Sequence, residues 1–323
     1  MTLQEPDVSI LVPVKDEAES LDQLAKEVTV ALDQETNGSG WELIFIDDGS
    51  SDDSWGQILG VSARDPRIRG IRLRRNFGKS AALAAGFANS TGSVIVTLDG
   101  DLQDDPAEIP SMLARLDEPA DLVAGYKSER RDPLGKRLAS KVFNFFTGMV
   151  TGLRLKDHNC GLKVSRREAF ASVPLYGEMH RYIAAIAHAQ GFRVVEQPVH
   201  HRPRVHGKSK FGLERYARGG LDLLTVVGLT RYTHRPAHLF GGVGLFLGVI
   251  GVAILVYLSG VWLFTDQAIG GRPLLLLGVL LVLVAVQLAS IGLLAEMMVS
   301  RESADRDVAR YITERTPSID DGH

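Results

Sequence analysis

The chain has 323 residues, with 36 Lys and Arg against 39 Asp and Glu, a net charge of −3. That balance gives no electrostatic reason to expect nucleic acid as a partner. A single cysteine, Cys160, excludes an intrachain disulfide and a cysteine metal cluster, fits a reducing compartment, and reads as a small buried packing residue.

Met1 to Asp7 are polar with no apolar core, so no signal peptide is expected there. Val8 to Val14 predicts a strand buried on both faces. The polar Lys15–Ser20 segment then enters a helix over Leu21–Leu32, its glutamates suiting the positive helix N-terminus. Trp41–Ile46 is a second strand, ending in Asp47-Asp48-Gly49-Ser50, and a helix follows over Trp55–Arg64. Ile68–Leu73 is a third strand, and Asn76-Phe77-Gly78-Lys79-Ser80 leads into an alanine-rich helix over Ala81–Asn89. Val94–Leu98, apolar and mostly β-branched, is a fourth strand that breaks abruptly into Asp99-Gly100-Asp101-Leu102-Gln103-Asp104-Asp105-Pro106. A helix near Ile109–Leu116 and a strand at Asp121–Ala124 complete a βαβαβαβ pattern. Such a pattern implies a mainly parallel sheet with right-handed crossovers and a ligand site beyond the strand carboxyl ends.

Each acidic cluster, Asp16/Glu17, Asp47/Asp48 and Asp99/Asp101, falls at a strand end. Any one alone reads as a solvated turn or helix cap. Three converging on one sheet edge point to a site. Asp99, Asp101 and Gln103 place oxygen-bearing side chains at alternate positions, a donor set that suits a hard cation, Mg²⁺ or Mn²⁺. Gly100 removes a side chain where a phosphate or sugar would approach. No Gly-x-Gly-x-x-Gly follows the first strand, which argues against a dinucleotide site. Gly78-Lys79-Ser80 lacks the upstream glycine of a P-loop, since Leu73 stands there.

The second half is more basic, then apolar. Lys127, Arg130, Arg131, Lys136 and Arg137 lie close together, followed by a predicted helix over 138–149 with Phe and Met on one face. That helix suits a membrane interface or packing on the sheet. His158, Cys160 and His180 lack a fourth ligand at zinc spacing. The Val199–Phe211 run sets Arg204, Lys208 and Lys210 around a glycine, as a loop closing over phosphates would. It is short and lacks interleaved aromatics for base stacking. Phe211–Tyr232 is a second predicted interfacial helix. Leu239–Phe264 and Leu274–Ala295 contain no charged residue, and each exceeds the ~20 residues that span ~30 Å of hydrocarbon. They predict a transmembrane hairpin. Arg231, His234 and Arg235 before it and Arg301 after it place both ends in the cytoplasm by the positive-inside rule. Gly241, Gly242, Gly244 and Gly248 would let the first helix pack closely on a neighbour, so a homo-oligomer is expected.

Val12-Pro13-Val14-Lys15-Asp16-Glu17, Asp47-Asp48-Gly49-Ser50, Asn76-Phe77-Gly78-Lys79 and Leu98–Pro106 together resemble the successive motifs of family 2 glycosyltransferases. The resemblance is to the polyprenyl-phosphate group, dolichol-phosphate mannose synthase and its bacterial two-helix branch, and runs from about Val8 to Phe211. It implies a GT-A-like, Rossmann-type, mainly parallel α/β domain over 1–210. An interfacial helix over 211–235, two transmembrane helices within 236–300 (about 239–264 and 274–298) and a cytoplasmic tail over 301–323 would follow. Pro13, Lys15, Glu17, Asp47, Asp48, Lys79, Asp99, Gly100, Arg204 and Lys210 would bind the nucleotide sugar. Asp101 and Gln103 would hold Mg²⁺ or Mn²⁺ on the diphosphate, and Asp101 counts as catalytic for that reason. Lys127, Arg130, Arg131, Arg137 and Lys208 would meet the acceptor phosphate. Asp157, in the acceptor-side motif Leu155–Val164, would be the second catalytic residue. Lys15 stands where an aromatic is common, Asp16 where asparagine is, and Lys127 where arginine is usual. The implied reaction is inverting transfer of a sugar, from UDP-glucose or alternatively GDP-mannose, to a polyprenyl phosphate such as undecaprenyl phosphate, at the cytoplasmic (inner) membrane. A polysaccharide synthase would carry more membrane helices and a Gln-x-x-Arg-Trp motif; a catalytically inactive membrane scaffold would not need the acids.

Overall fold

The computed structural model describes residues 7–33, 40–117, 119–127, 147–148, 151–202, 236–265, 268 and 270–304. The chain divides into two compact units, Met1–Thr230 and Arg231–His323.

In the first unit, strands β1 (Val8–Val14), β2 (Trp41–Asp47), β3 (Ile68–Arg72) and β4 (Val94–Thr97) alternate with helices α1 (Leu21–Asp33), α2 (Ser54–Arg64) and α3 (Lys79–Ala88). Helix α4 (Ile109–Asp117) and strand β5 (Leu122–Lys127) follow, as the hydrophobic pattern predicts. Strand β6 (Lys163–Arg166), helices α5 (Arg167–Ala171) and α6 (Ile183–Ala189), and strand β7 (Val194–Val199) complete the described part. The seven-stranded sheet runs β3-β2-β1-β4-β6-β5-β7. Its β1–β2, β1–β4, β2–β3 and β5–β7 pairs are parallel, whereas β6 lies antiparallel between β4 and β5. The periodicity argument missed β6 because Lys163-Val164-Ser165-Arg166 has one apolar residue, yet Lys163, Val164 and Ser165 are all buried.

Helices cover both faces. Leu21, Leu24, Val28 and Leu32 form one buried stripe on α1 at helical spacing. They pack with Ile10, Val12 and Val14, which alternate along β1 toward the same face. Leu11, Ile44 and Ile46 point to the other face and meet Ala82 and Leu83 of α3. The small residues of α3 bring it close to the sheet: a Cβ on Gly86 would lie 2.7 Å from Ile46 Cδ1. Burying each such Leu or Ile contributes about 1.5–3 kcal/mol, so this two-sided core fixes the strand order that brings the acidic ends together.

In the second unit, α7 (Pro236–Thr265) and α8 (Pro273–Ala304) form an antiparallel pair. Their stretches Ala237–Thr265 and Pro273–Met298 are long and apolar enough to cross a membrane. Glycines set their close approach. A Cβ on Gly244 would lie 2.9 Å from the Ala285 carbonyl, one on Gly248 3.1 Å from Ala285 Cβ, and one on Gly251 2.9 Å from the Gly278 carbonyl. Gly244 and Gly248, expected to face a neighbouring molecule, are therefore used inside the hairpin, while nothing lies within 4 Å of a Cβ on Gly241 or Gly242. Glu296 accepts the Ala237 amide at 3.0 Å and so caps the start of α7.

Candidate active site

Strand register aligns the carboxyl ends. Val14 of β1 lies opposite Asp47 of β2, Asp47 opposite Arg72 of β3, and Leu11 opposite Thr97 of β4. The Lys15, Asp47 and Asp99 segments thus leave the sheet along one edge.

The first two segments clasp each other. Asp16 has φ +55°, a left-handed conformation that Asn and Asp tolerate best among non-glycine residues. The aspartate at this position keeps that capacity. Its amide donates to the Ser50 hydroxyl at 3.0 Å, and its carboxylate accepts from the Ser51 amide at 2.7 Å. The Lys15 ammonium donates to the Gly49 carbonyl at 2.5 Å, and the Glu17 amide to the Ser54 hydroxyl at 3.0 Å. Asp47 is fully buried: one oxygen accepts the Ser50 amide at 2.8 Å and the other is 3.3 Å from Arg72 Nε. Asp48 accepts the Phe77 amide at 2.7 Å and the Gly78 amide at 2.9 Å. Both oxygens of this carboxylate thereby pin the loop that precedes α3.

That loop delivers Lys79, whose ammonium is ion-paired with the Asp99 carboxylate. Burial works against the charge of Lys79, but Asp99, then Asp104 and Asp101, outweigh it and hold the ammonium above its usual range. Burial would likewise raise Asp99, yet Lys79 and then Lys163 keep its carboxyl below the ordinary value. Between Asp101 and Gln103, Leu102 is buried with φ +61°. A bulky residue held there is strained by about 1–3 kcal/mol, and burial of its side chain offsets this while the backbone turns sharply in the acid loop. Asp101 accepts the Gln103 amide at 3.2 Å. Gly100 lies against β1, where a Cβ would meet the Pro13 carbonyl at 3.4 Å, and its own carbonyl accepts the Ser20 hydroxyl at 2.6 Å.

Three further features close the site. Gly161 sits under two carboxylates: a Cβ there would lie 2.5 Å from Asp99 Cγ and 2.7 Å from Asp104 Oδ2. Asp104, 2 % exposed, lies 3.3 Å from His201 Nδ1, and His201 Nε2 lies 2.9 Å from Lys127 Nζ. Since a lysine ammonium only donates, Nε2 accepts and the imidazole proton is assigned to Nδ1, facing Asp104. Lys127 is therefore tied to the acid loop through one histidine. The next residue, Arg202, donates its amide to the Gln103 carbonyl at 2.8 Å and pairs with Glu27 at 2.7 Å and Asp105 at 2.8 Å.

Asp157 is buried and accepts the Asn159 amide at 3.0 Å, while Glu196 accepts the Lys156 amide at 2.7 Å. Lys163, on β6, donates to the Cys160 carbonyl; burial pushes its ammonium down, with Asp99 and Asp157 among the charges acting on it. His158 and His180 are also pushed down by burial, to about 4 and about 2 respectively, so both are neutral at pH 7. The Cys160 thiol is buried and raised to about 12, as befits a packing residue. Arg130, Arg131, Arg137, Arg204, Lys208 and Lys210, the interfacial helix expected over 211–232, the one expected over 138–149 apart from Thr147 and Gly148, and the tail after 304 lie outside the described residues.

The donor chemistry fits a divalent hard cation. Gly161 leaves the space in which two carboxylates crowd together, and Asp101 and Gln103 add a carboxylate and a carboxamide oxygen on the same loop. Among the described residues no group of three His, Cys, Asp or Glu is placed to hold a metal by itself. A Mg²⁺-type site needs only one or two carboxylates, the rest of its coordination coming from substrate phosphates and water. Gly161, Lys163 and His201 were not singled out by the sequence reading. Gly161 and Lys163 lie inside the Leu155–Val164 motif, but nothing local marks a glycine as seating carboxylates some 60 residues upstream.

The Glycosyl transferase family 2 model matches residues 9–173. The chain belongs to this family. The glycosyltransferase is similar over nearly its whole length to curated relatives. It is 38% identical over 315 residues to dodecaprenyl-phosphate galacturonate synthase of Rhizobium johnstonii, covering 96% of this chain and 93% of the relative. It is 34% identical over 323 residues to undecaprenyl-phosphate 4-deoxy-4-formamido-L-arabinose transferase of Salmonella typhimurium, covering 98% and 97%. Among solved structures it resembles glucosyl-3-phosphoglycerate synthase from Mycobacterium tuberculosis, in complex with Mn²⁺, uridine diphosphate and glucosyl-3-phosphoglycerate. The TM-score is 0.51 at 18% identity, covering 69% of this chain and 79% of that one. That likeness speaks to the GT-A-like fold of the catalytic unit.

Proposed function

We propose that this glycosyltransferase moves a sugar from a nucleotide-diphosphate sugar to the phosphate of a polyprenyl phosphate, with inversion, at the cytoplasmic face of the inner membrane. The observation that carries the reading is the meeting of Lys79, Asp99, Asp104, His201 and Lys127 around the acid loop at the strand carboxyl ends. Two long apolar helices in the same chain, and the polyprenyl-phosphate acceptors in the names of both curated relatives, support a lipid acceptor.

In this reading Asp101 and Gln103 would hold Mg²⁺ or Mn²⁺ at the donor site. Such an ion would supply electrostatic stabilisation of the negative charge on a leaving nucleoside diphosphate. Pro13, Lys15, Glu17, Asp47 and Asp48 shape the nucleotide end of the cleft, Asp48 by fixing the loop that carries Lys79. Lys127, held by His201, faces the acceptor phosphate together with Arg130, Arg131, Arg137 and Lys208. Arg204 and Lys210 serve the donor side. A phosphate monoester has its second pKa near ~6, so the acceptor is largely dianionic at neutral pH and attacks the anomeric carbon without surrendering a proton. Asp157 then orients the acceptor or its cationic partners rather than acting as a required base.

For the donor sugar, the relatives' names favour galacturonate or a 4-substituted arabinose over the glucose expected from the motif group. The test is transfer of radiolabelled sugar to undecaprenyl phosphate by the full chain in detergent, with and without Mn²⁺. The donors are UDP-galacturonate, UDP-4-deoxy-4-formamido-L-arabinose, UDP-glucose and GDP-mannose. Metal-dependent labelling of the lipid from one donor is the expected result. Nucleotide binding without lipid labelling from any donor would overturn the acceptor assignment.

A further inference from the structure

Lys79 occupies a position that helix energetics disfavour. It is the first residue of α3, where the helix dipole disfavours a cation by about 0.3–1 kcal/mol, and the preceding Gly78 provides no side-chain cap. Burial works against the charges of both Lys79 and Asp99, so their ion pair is weak evidence of a role in folding. Yet the chain takes care to put it there. Gly78 adopts φ +94°, and both Asp48 oxygens hold the Phe77 and Gly78 amides at 2.7 and 2.9 Å. The ammonium ends on Asp99, a carboxylate crowded against Asp104 above Gly161, on the loop that also carries Asp101. A local rule broken this consistently, with the surrounding structure enforcing it, belongs to function.

We propose that Lys79 is the resident counter-cation of the acid loop: it balances the carboxylates in the donor-free enzyme and keeps divalent-ion affinity low until a nucleotide diphosphate is present, so that ion and donor bind together. The inference rests on the metal reading given above and adds an order to it. A monocation fixed beside the carboxylates repels an incoming dication, and no set of three metal-capable side chains among the described residues compensates. The diphosphate supplies the missing negative charge. It also offers Lys79 new acceptors, so the ammonium exchanges Asp99 for phosphate oxygens without being left unpaired.

The experiment is a Mn²⁺ titration of the full chain in detergent micelles, following free Mn²⁺ by its paramagnetic resonance signal, with and without UDP. Wild type, Lys79→Met, Lys79→Gln and Lys79→Arg are compared, with thermal melting to establish that each is folded. Wild type should bind Mn²⁺ weakly alone and at least tenfold more tightly with UDP. Lys79→Met and Lys79→Gln should bind Mn²⁺ alone about tenfold more tightly than wild type, with the gain from UDP correspondingly reduced. Lys79→Arg, which keeps the charge, should resemble wild type. A gain of affinity is a readout that loss of a merely structural contact would not give. If both neutral variants bind Mn²⁺ alone no more tightly than wild type, while UDP still promotes binding, the role of Lys79 is overturned and the metal reading stands. If wild type binds no Mn²⁺ even with UDP, the metal reading falls and this inference with it.

Discussion

Adding one methyl group at Gly161 tests the geometry of the acid site most directly. The Cβ of Gly161→Ala would lie 2.5 Å from Asp99 Cγ, 2.6 Å from Asp99 Oδ1 and 2.7 Å from Asp104 Oδ2. Ordinary van der Waals contact begins near 3.4 Å, so the Asp99 carboxylate must retreat by roughly 0.9 Å. Neither acid moves freely. Asp99 is tied to Lys79, and Asp104 is buried with His201 at 3.3 Å. Overpacking of this kind costs about 1–3 kcal/mol, and a shift of about 1 Å at a reacting site costs on the order of a hundredfold in rate. Gly161 does not have a positive φ, so alanine meets no backbone penalty and the effect isolates the carboxylates. Gly100→Ala is the control on the same site, since its Cβ would meet nothing closer than the Pro13 carbonyl at 3.4 Å. Melting of the detergent-solubilised protein should show Gly161→Ala lowered by about 2–4 °C per kcal/mol, with sugar transfer reduced at least tenfold. Gly100→Ala should stay within about 0.5 kcal/mol of wild type. A Gly161→Ala protein as stable and active as wild type would refute the placement of Asp99 and Asp104 over this glycine.

Asp48→Ala leaves the Phe77 and Gly78 amides without their acceptor; it should cost about 2–4 kcal/mol and raise the KM for the donor, and an unchanged KM would separate this clasp from nucleotide binding. Burial holds His158 and His180 at about 4 and about 2, against an ordinary value of 6.5. As pH falls below 6.5 the unfolded chain takes up protons on both while the folded one does not, so stability drops between pH 6.5 and 4 by up to about 1.4 kcal/mol per pH unit for each histidine. Both His158 ring nitrogens lack a hydrogen-bond partner among the described residues, so His158→Leu should roughly halve this histidine contribution to the slope; urea titrations at stepped pH that show the wild-type slope in the variant would refute the assignment. In the hairpin, Gly251→Leu forces a side chain into the Gly278 carbonyl and Val282 Cγ2, both 2.9 Å from the added Cβ, and should lower the melting temperature in micelles. Gly260→Leu, with nothing within 4 Å, should not; equal melting of the two would argue against the close α7–α8 packing.

The strands β1 to β5, the helices between them and the apolar hairpin were legible because each announces itself locally. Period-two or continuous apolar runs, helical stripes and the length of a membrane span are properties of neighbouring residues. The acid loop was legible for the same reason: Asp99, Gly100, Asp101 and Gln103 are consecutive or alternate, and their position after a strand follows from the parallel topology. Strand β6 was not, because its burial comes from insertion between β4 and β5 rather than from its own hydrophobicity.

What the sequence by itself determined is the list of chemical parts and the edge of the sheet on which they lie. Its motifs named Lys79, Asp99, Asp101, Gln103 and Lys127 without showing which of them touch. The tertiary structure decided the pairings: Asp48 holding the loop before Lys79, Lys79 on Asp99, Asp104 joined through His201 to Lys127, and Gly161 leaving room for two carboxylates. Those contacts span from about 20 to almost 100 residues of chain. Only the packing of helices on both faces of a seven-stranded sheet brings such distant residues together, and no local pattern encodes a distance that the whole core sets.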